Sequence, residues 1–263
     1  DMDLLTPVWN EENRPELPDG KVFVFDEKYA GESSENKLHR LREQLQDKGA
    51  NTMLISALDE IAWLLNLRGS DIDFNPVFVS YLLVKEDSAV LFIDVRKLDD
   101  DAKQYLHNNK IEIAPYSQAY NINKYLDEDS VVLFDGSRVN QGLLNALQHS
   151  YIAGLVNAQS PVLVMKSQKN ETELAGVRLA MHKDGVALTK FFKWLEEHIG
   201  KERLTEVDLM RKLHSFRAEQ QNFIEESFET IAGYNANGAI VHYEAKEDRS
   251  EERRVGKECR SRW

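Results

Sequence analysis

Residues 58–81 read Leu58-Asp59-Glu60-Ile61-Ala62-Trp63-Leu64-Leu65-Asn66-Leu67-Arg68-Gly69-Ser70-Asp71-Ile72-Asp73-Phe74-Asn75-Pro76-Val77-Phe78-Val79-Ser80-Tyr81. The spacing predicts a short amphipathic helix over 59–67, with Ile61, Trp63, Leu64 and Leu67 on its core face, then a turn at Gly69 and a buried strand from Val77. Arg68 and Asp71 flank the turn and are expected to form an ion pair, worth about 1 kcal/mol or less if exposed. Helix, turn and strand in 24 residues are the repeating unit of an α/β domain.

The same alternation continues on both sides. Upstream, a helix is expected from Ser33, capped by Ser33 or Ser34, with Leu38, Leu41 and Leu45 on one face and Gly49 as its stop. An apolar strand follows over 51–57. Downstream, strands are expected over 77–84 and 89–94, joined by the hairpin signal Lys85-Glu86-Asp87-Ser88. Then come a helix over 99–108, a strand over 111–114, a helix over 117–126, a strand over 131–134, a helix over 140–150 and a strand over 162–165. Residues 33–166 therefore predict one α/β domain on a mixed sheet. Residues 1–32 are irregular; Val22, Val24 and Asp26 suggest a short strand, and Arg14-Pro15-Glu16-Leu17-Pro18-Asp19-Gly20 reads as a linker.

Beyond Lys166 the pattern changes. Asn170 is placed to cap a helix reaching Ile199, with Leu174, Val177, Met181, Leu188, Phe191, Leu195 and Ile199 as its stripe and Gly200 as its stop. Thr205-Glu206-Val207-Asp208 resembles a capping box and opens a helix to about Gln220. Two strands, 228–232 and 239–243, are expected around the loop Gly233-Tyr234-Asn235-Ala236-Asn237-Gly238. Two helices and one hairpin bury only a small core, so residues 167–248 read as the opening of a larger domain.

Composition narrows the function. The 263 residues hold 33 Lys plus Arg against 45 Asp plus Glu, a net charge of −12, with 42% hydrophobic residues. An acidic balance argues against a nucleic-acid surface. No apolar run approaches the roughly 20 residues of a membrane span, and the N-terminus shows no charged-then-apolar leader. One Cys excludes a disulfide scaffold. A soluble, cytoplasmic α/β protein is the expectation. The chain opens on Asp rather than Met. Its last 15 residues, Arg249–Trp263, hold six basic and three acidic groups and the single Cys259. Back-translated, they resemble a sequencing-library adapter, and are expected to be non-native. Without them no Cys remains and thiol chemistry is excluded.

Motifs exclude more. The chain has no GxGxxG, GxxxxGK[ST], HExxH or GxSxG, and none of its seven His lies three or four residues from another. The runs Asp99–Asp101 and Asp127–Asp129 read as helix-terminal turns rather than metal ligands. Trp63 and Trp194 read as core. His242, in an expected apolar strand, reads on its own as a packed histidine, because its functional role would need a partner.

Three stretches carry a resemblance. Residues 58–81 resemble the end of the strand-helix part of the middle domain of aminopeptidase P, the Xaa-Pro aminopeptidases of the cytosolic three-domain type. Residues 227–243, SFETIAGYNANGAIVHY, resemble the first hairpin of that family's pita-bread catalytic domain. KNETELAGVRLAMHKDGVAL with FFKWLEEHI is similar to its linker and first helix, and LLTPVW with Arg14–Pro18 to the end of the N-terminal domain. The resemblance implies the division 1–32 (end of an N-terminal domain and linker), 33–166 (creatinase-like middle domain) and 167–248 (incomplete catalytic domain), with 249–263 left as the adapter-derived tail read from its back-translation.

It also implies a dinuclear metallopeptidase that removes the N-terminal residue of peptides with proline second. Two divalent metals, usually manganese, are held by two Asp, one His and two Glu; a bridging hydroxide attacks the first carbonyl. Histidines outside the ligand set bind the peptide and steady the intermediate, and one occupies the position of His242. His242 is thus the candidate catalytic and substrate-binding residue. All five metal ligands follow it in the family, so none is expected before residue 248, and Glu244, Glu247 and Asp248 are no substitute. The expected partners are proline-containing peptides and a homodimer of the full-length protein, with no nucleic acid and no membrane. A second reading is a non-catalytic creatinase-like scaffold or binding protein.

Overall fold

A computed structural model describes residues 14–246 together with Trp9. The expectations for LLTPVW up to Val8, for Glu247 and Asp248 and for the tail Arg249–Trp263 lie outside the described residues. The chain divides into two compact units between Asn170 and Glu171.

The first unit opens with β1 (Phe23–Val24) and α1 (Glu27–Ala30), and continues with α2 (Ser34–Asp47), β2 (Thr52–Ile55) and α3 (Leu58–Leu64). Then come β3 (Leu67–Arg68), β4 (Ser80–Val84), β5 (Ala89–Ile93), α4 (Asp100–Asn108), β6 (Ile111–Pro115), β7 (Val131–Phe134), α5 (Gln141–Gln148), β8 (Gly154–Asn157) and α6 (Pro161–Ser167). The caps explain the helix starts. Ser33 accepts from the Asn36 amide at 3.1 Å, Asp99 from Ala102 at 2.8 Å and Asn140 from Leu143 at 3.0 Å. After α2 the chain turns at Gly49, whose φ of 69° lies in the left-handed region that favours glycine.

Six strands form one mixed sheet in the order β6-β5-β4-β2-β7-β8. β4 runs antiparallel to β2 and β5, while β5–β6, β2–β7 and β7–β8 are parallel. Period-two alternation sends Met53, Ile55, Leu82, Val84, Leu91, Ile93 and Leu133 to one face, where Leu38, Leu41, Leu45, Ile61, Leu106, Val162 and Met165 cover them. Leu54, Leu83, Val90, Phe92, Val132 and Phe134 face the other side, under Ile122, Leu143 and Leu147. A sheet buried on both faces needs strands apolar throughout, which is why its central strands read as continuous hydrophobic runs.

Several elements differ from expectation. Residues 162–165 are helical, in α6, because Pro161 at the first helical turn presets φ and gives up an amide that would have no partner there. The sixth strand is instead β8, an edge strand beginning at Gly154. Residues 116–124 form a 3₁₀ helix broken at Asn121 rather than an α-helix. The run Asp127–Asp129 lies in a turn, with the Ser130 amide donating to the Asp127 carbonyl at 3.0 Å. Arg68 and Asp71 do not pair with each other: Arg68 donates to the Ala62 and Leu67 carbonyls and lies over the Phe25 ring, while Asp71 pairs with Lys97.

The second unit begins with α7 (Glu171–His198) and α8 (Glu206–Ala218). Of the expected stripe on α7, Phe191 is buried, whereas Val177 and Met181 are exposed; Trp194 is half-buried. The expected hairpin is not formed. Residues 228–232 and 239–243 are outside any strand, and a 3₁₀ turn spans Asn235–Ala239. A two-stranded hairpin is marginal without a sheet to extend, and among the described residues this unit has no strand. Among the described residues, no helix is long and apolar enough to cross a membrane.

Candidate functional site

In the second unit the chemistry gathers where α8 begins. Thr205 and Asp208 form the capping box: the Thr205 hydroxyl accepts from the Asp208 amide at 3.1 Å, and the Asp208 carboxylate accepts from the Thr205 amide at 2.9 Å. That leaves the carboxylate of Glu206 free of capping duty. Glu206 is only 6% exposed, and its carboxylate reaches across to the segment that contains His242. Oε1 accepts from the Tyr234 amide at 2.5 Å and Oε2 from the Tyr243 hydroxyl at 2.6 Å. The Asn237 side-chain amide donates to both oxygens at 3.1 Å and to the Tyr243 hydroxyl at 3.0 Å.

The loop these bonds close is tight. A Cβ on Gly233 would lie 2.9 Å from the backbone of Gly238, so the two glycines touch and only glycine fits at position 233. His242 itself stands in a turn with φ 54° and is exposed. It is therefore not a packed histidine in a strand, as its apolar neighbours alone would suggest. Arg217 holds the preceding stretch, with Nε on Asp184 at 2.8 Å and Nη1 on Glu226 at 3.0 Å and Thr230 at 3.4 Å. Sequence reasoning missed Glu206 as anything but part of a capping box. Its signal was the doubling of acids in Thr205-Glu206-Val207-Asp208, where one carboxylate suffices to cap.

The first unit buries four ionisable side chains, Asp71, Lys97, Lys37 and Glu60. Asp71 accepts from the Gly20 amide at 3.0 Å and the Val79 amide at 2.6 Å, and pairs with the buried Lys97. Lys37 donates to the Trp63 carbonyl at 3.0 Å and to Asn66 at 2.7 Å, with its ammonium 4.2 Å from the Trp63 ring centroid. Glu60 accepts from the Ser160 hydroxyl at 2.5 Å through one oxygen, while the other has no partner. Burial pushes the Glu60 carboxyl above the ordinary Glu value, more than the Ser160 bond lowers it. These groups hold the first unit together.

A doubly covered mixed sheet, followed by a unit that opens with a long helix, defines an α/β class. Residues 13–173 match the model of the creatinase/prolidase N-terminal domain, and residues 175–256 match that of metallopeptidase family M24. The chain belongs to the creatinase/prolidase family. It is 41% identical over 245 residues to Xaa-Pro aminopeptidase 1 of Dictyostelium discoideum, a match covering 92% of this chain and 38% of that protein. The X-prolyl aminopeptidase of Caenorhabditis elegans, described as a cytosolic enzyme with a di-nuclear active site, superposes with a TM-score of 0.76 at 30% identity, over 86% of this chain and 37% of its own. The Xaa-Pro dipeptidase of Bacillus anthracis shares the fold, with a TM-score of 0.52 at 16% identity over 72% of this chain and 50% of its own. The chain spans about two fifths of the length of the curated relatives it matches.

The described residues do not fit a dinuclear metal centre. Among them, no group of three or more His, Cys, Asp or Glu is arranged to hold a metal ion.

Proposed function

We propose that the whole protein is an Xaa-Pro aminopeptidase, a metallopeptidase that removes the first residue of peptides with proline second. The identity of 41% to the Dictyostelium Xaa-Pro aminopeptidase across 92% of this chain carries this reading. In it, residues 1–32 end an N-terminal domain, residues 33–166 are the middle domain, and residues 167–248 open the catalytic domain. Two divalent ions, manganese by our reading, are held by residues beyond those described, and the protein works in the cytoplasm as a homodimer.

The part assigned to this chain is His242. Exposed on a turn with a neutral or cationic imidazole available to donate, it suits contact with a peptide carbonyl or a developing oxyanion. It is one histidine without clustered carboxylates, and hard divalent cations prefer oxygen ligands, so it acts on the peptide and not on the metals. The test is hydrolysis of a Xaa-Pro dipeptide by the full-length protein with added manganese, with and without His242→Ala. The expected result is cleavage by the wild type and a large loss of turnover with metal content unchanged in the variant. An inactive wild type overturns the peptidase reading; loss of both metals in H242A overturns the role of His242.

A further inference from the structure

We propose that Glu206 is a positioning residue for His242, acting through Tyr243 and the loop Gly233–Gly238; this rests on the reading that His242 acts on the peptide. Three observations carry it. First, Thr205 and Asp208 already satisfy the start of α8, so Glu206 is not needed there. Second, the Glu206 carboxylate makes its bonds to a segment 28 to 37 residues further on, gripping Tyr234 and Asn237 within the loop and Tyr243 after it. Burying a carboxylate is costly unless such bonds surround it, and the bonds to Tyr234, Asn237 and Tyr243 all go to the segment that contains His242.

Third, His242 has φ 54° and Asn235 φ 52°, a conformation non-glycine residues hold only where the surroundings enforce it. The Tyr243 hydroxyl, held by Glu206 at 2.6 Å and Asn237 at 3.0 Å, fixes the residue next to His242. The Tyr234 amide, held at 2.5 Å, fixes the other end of the loop. Glu206 therefore sets where the imidazole projects without touching it. Substitution by Gln leaves one acceptor oxygen for bonds that now use two, and Tyr243→Phe deletes the bond nearest His242.

The experiment has two arms. In the full-length protein, kcat/KM on a Xaa-Pro dipeptide is measured for wild type, Tyr243→Phe, Glu206→Gln, His242→Ala and the double variant Glu206→Gln/His242→Ala. Loss of one hydrogen bond to a charged group corresponds to a drop of about tenfold for each of the first two variants. Residues acting as a unit are non-additive, so the double variant should be no slower than His242→Ala alone. Losses that multiply would mean Glu206 merely stabilises the domain, and would overturn the proposal, as would an H242A enzyme as fast as wild type.

In the second arm, amide exchange is followed on the chain itself. Glu206→Gln should speed exchange of the Tyr234 amide by about tenfold or more and leave the amides of α8 unchanged. Unchanged exchange at Tyr234, or loss of protection throughout α8, overturns the proposal. If the full-length wild type cleaves no Xaa-Pro bond, the peptidase reading fails, while this arm still decides whether Glu206 fixes the segment.

Discussion

Asp71 shows how much a single side chain organises. Its carboxylate is fully buried, pairs with Lys97 and takes the amides of Gly20 and Val79, tying the incoming linker to the core beside β4. A Cβ on Gly20 would fall 2.9 Å from the Ser70 backbone, so the linker docks there through glycine. Asp71→Asn leaves Lys97 buried without its counter-ion, and breaking such a pair costs about 3–5 kcal/mol. Urea unfolding of the first unit should show a loss of that order, whereas Arg68, which donates to the Ala62 and Leu67 carbonyls and lies over the Phe25 ring, should cost less when changed to Lys. Glu60 makes the opposite kind of prediction. Its carboxyl titrates above the ordinary value in the folded state because burial disfavours the charge. A raised carboxyl stabilises the fold fully below its unfolded value and loses that contribution as pH rises through the folded one. The stability difference between wild type and Glu60→Gln should therefore shrink or reverse as pH climbs above about 4.5; urea midpoints that stay parallel across pH 4–8 would contradict this. Neither partner choice could be read from sequence. Lys97 lies 26 residues from Asp71 and Ser160 lies 100 from Glu60, and no local spacing links them. Lys37 did leave a trace, since it shares the stripe of Leu41 and Leu45, where an apolar residue is expected.

At the scale of elements, local chemistry decided what was legible. α8 begins at a reciprocal capping box, and its start was readable because Thr205 and Asp208 suffice to define it. Thr205→Ala removes a cap worth about 1 kcal/mol, so it should lower the stability of the second unit by that amount and expose the Asp208 amide to exchange, while Thr205→Ser restores both. The central strands were equally plain, since burial on both faces writes unbroken apolar runs. Two readings failed for a common reason: a short apolar run does not reveal its period. Residues 162–165 form a helix because Pro161 sits in its first turn, a signal the apolar run hid. Residues 239–243 read as a strand by composition, yet Ile240 and Val241 are exposed and no strand pairs with them among the described residues. β8 was missed from the other side, as its alternation begins on a glycine and only every second residue is half-buried.

For the molecule as a whole, the two units differ in how much they bury and in the chemistry they carry. The first surrounds a sheet buried on both faces and needs nothing further to be a domain. The second offers two helices and a looped segment, and leaves Ile224, Phe228, Ile231, Ile240 and Val241 exposed. Its one candidate catalytic group, His242, was legible only through resemblance, because periodicity marks burial and not chemistry. From this follows a prediction about metal. A dinuclear site needs several carboxylates converging from rigid elements, each oriented by its own hydrogen bonds. Among the described residues no such group exists, and the buried carboxylate of Glu206 in the second unit is already committed to Tyr234, Asn237 and Tyr243. A polypeptide of residues 14–246 should therefore bind manganese no better than scattered surface carboxylates do, and should leave Xaa-Pro dipeptides intact, while under the proposed function the full-length protein should bind two ions and cleave the dipeptides. Calorimetric titration with manganese, run beside a peptidase assay, measures both. Stoichiometric binding with turnover by residues 14–246 would show that ligands assemble from the side chains described here, and the assignment of His242 to the peptide rather than the metals would have to be abandoned.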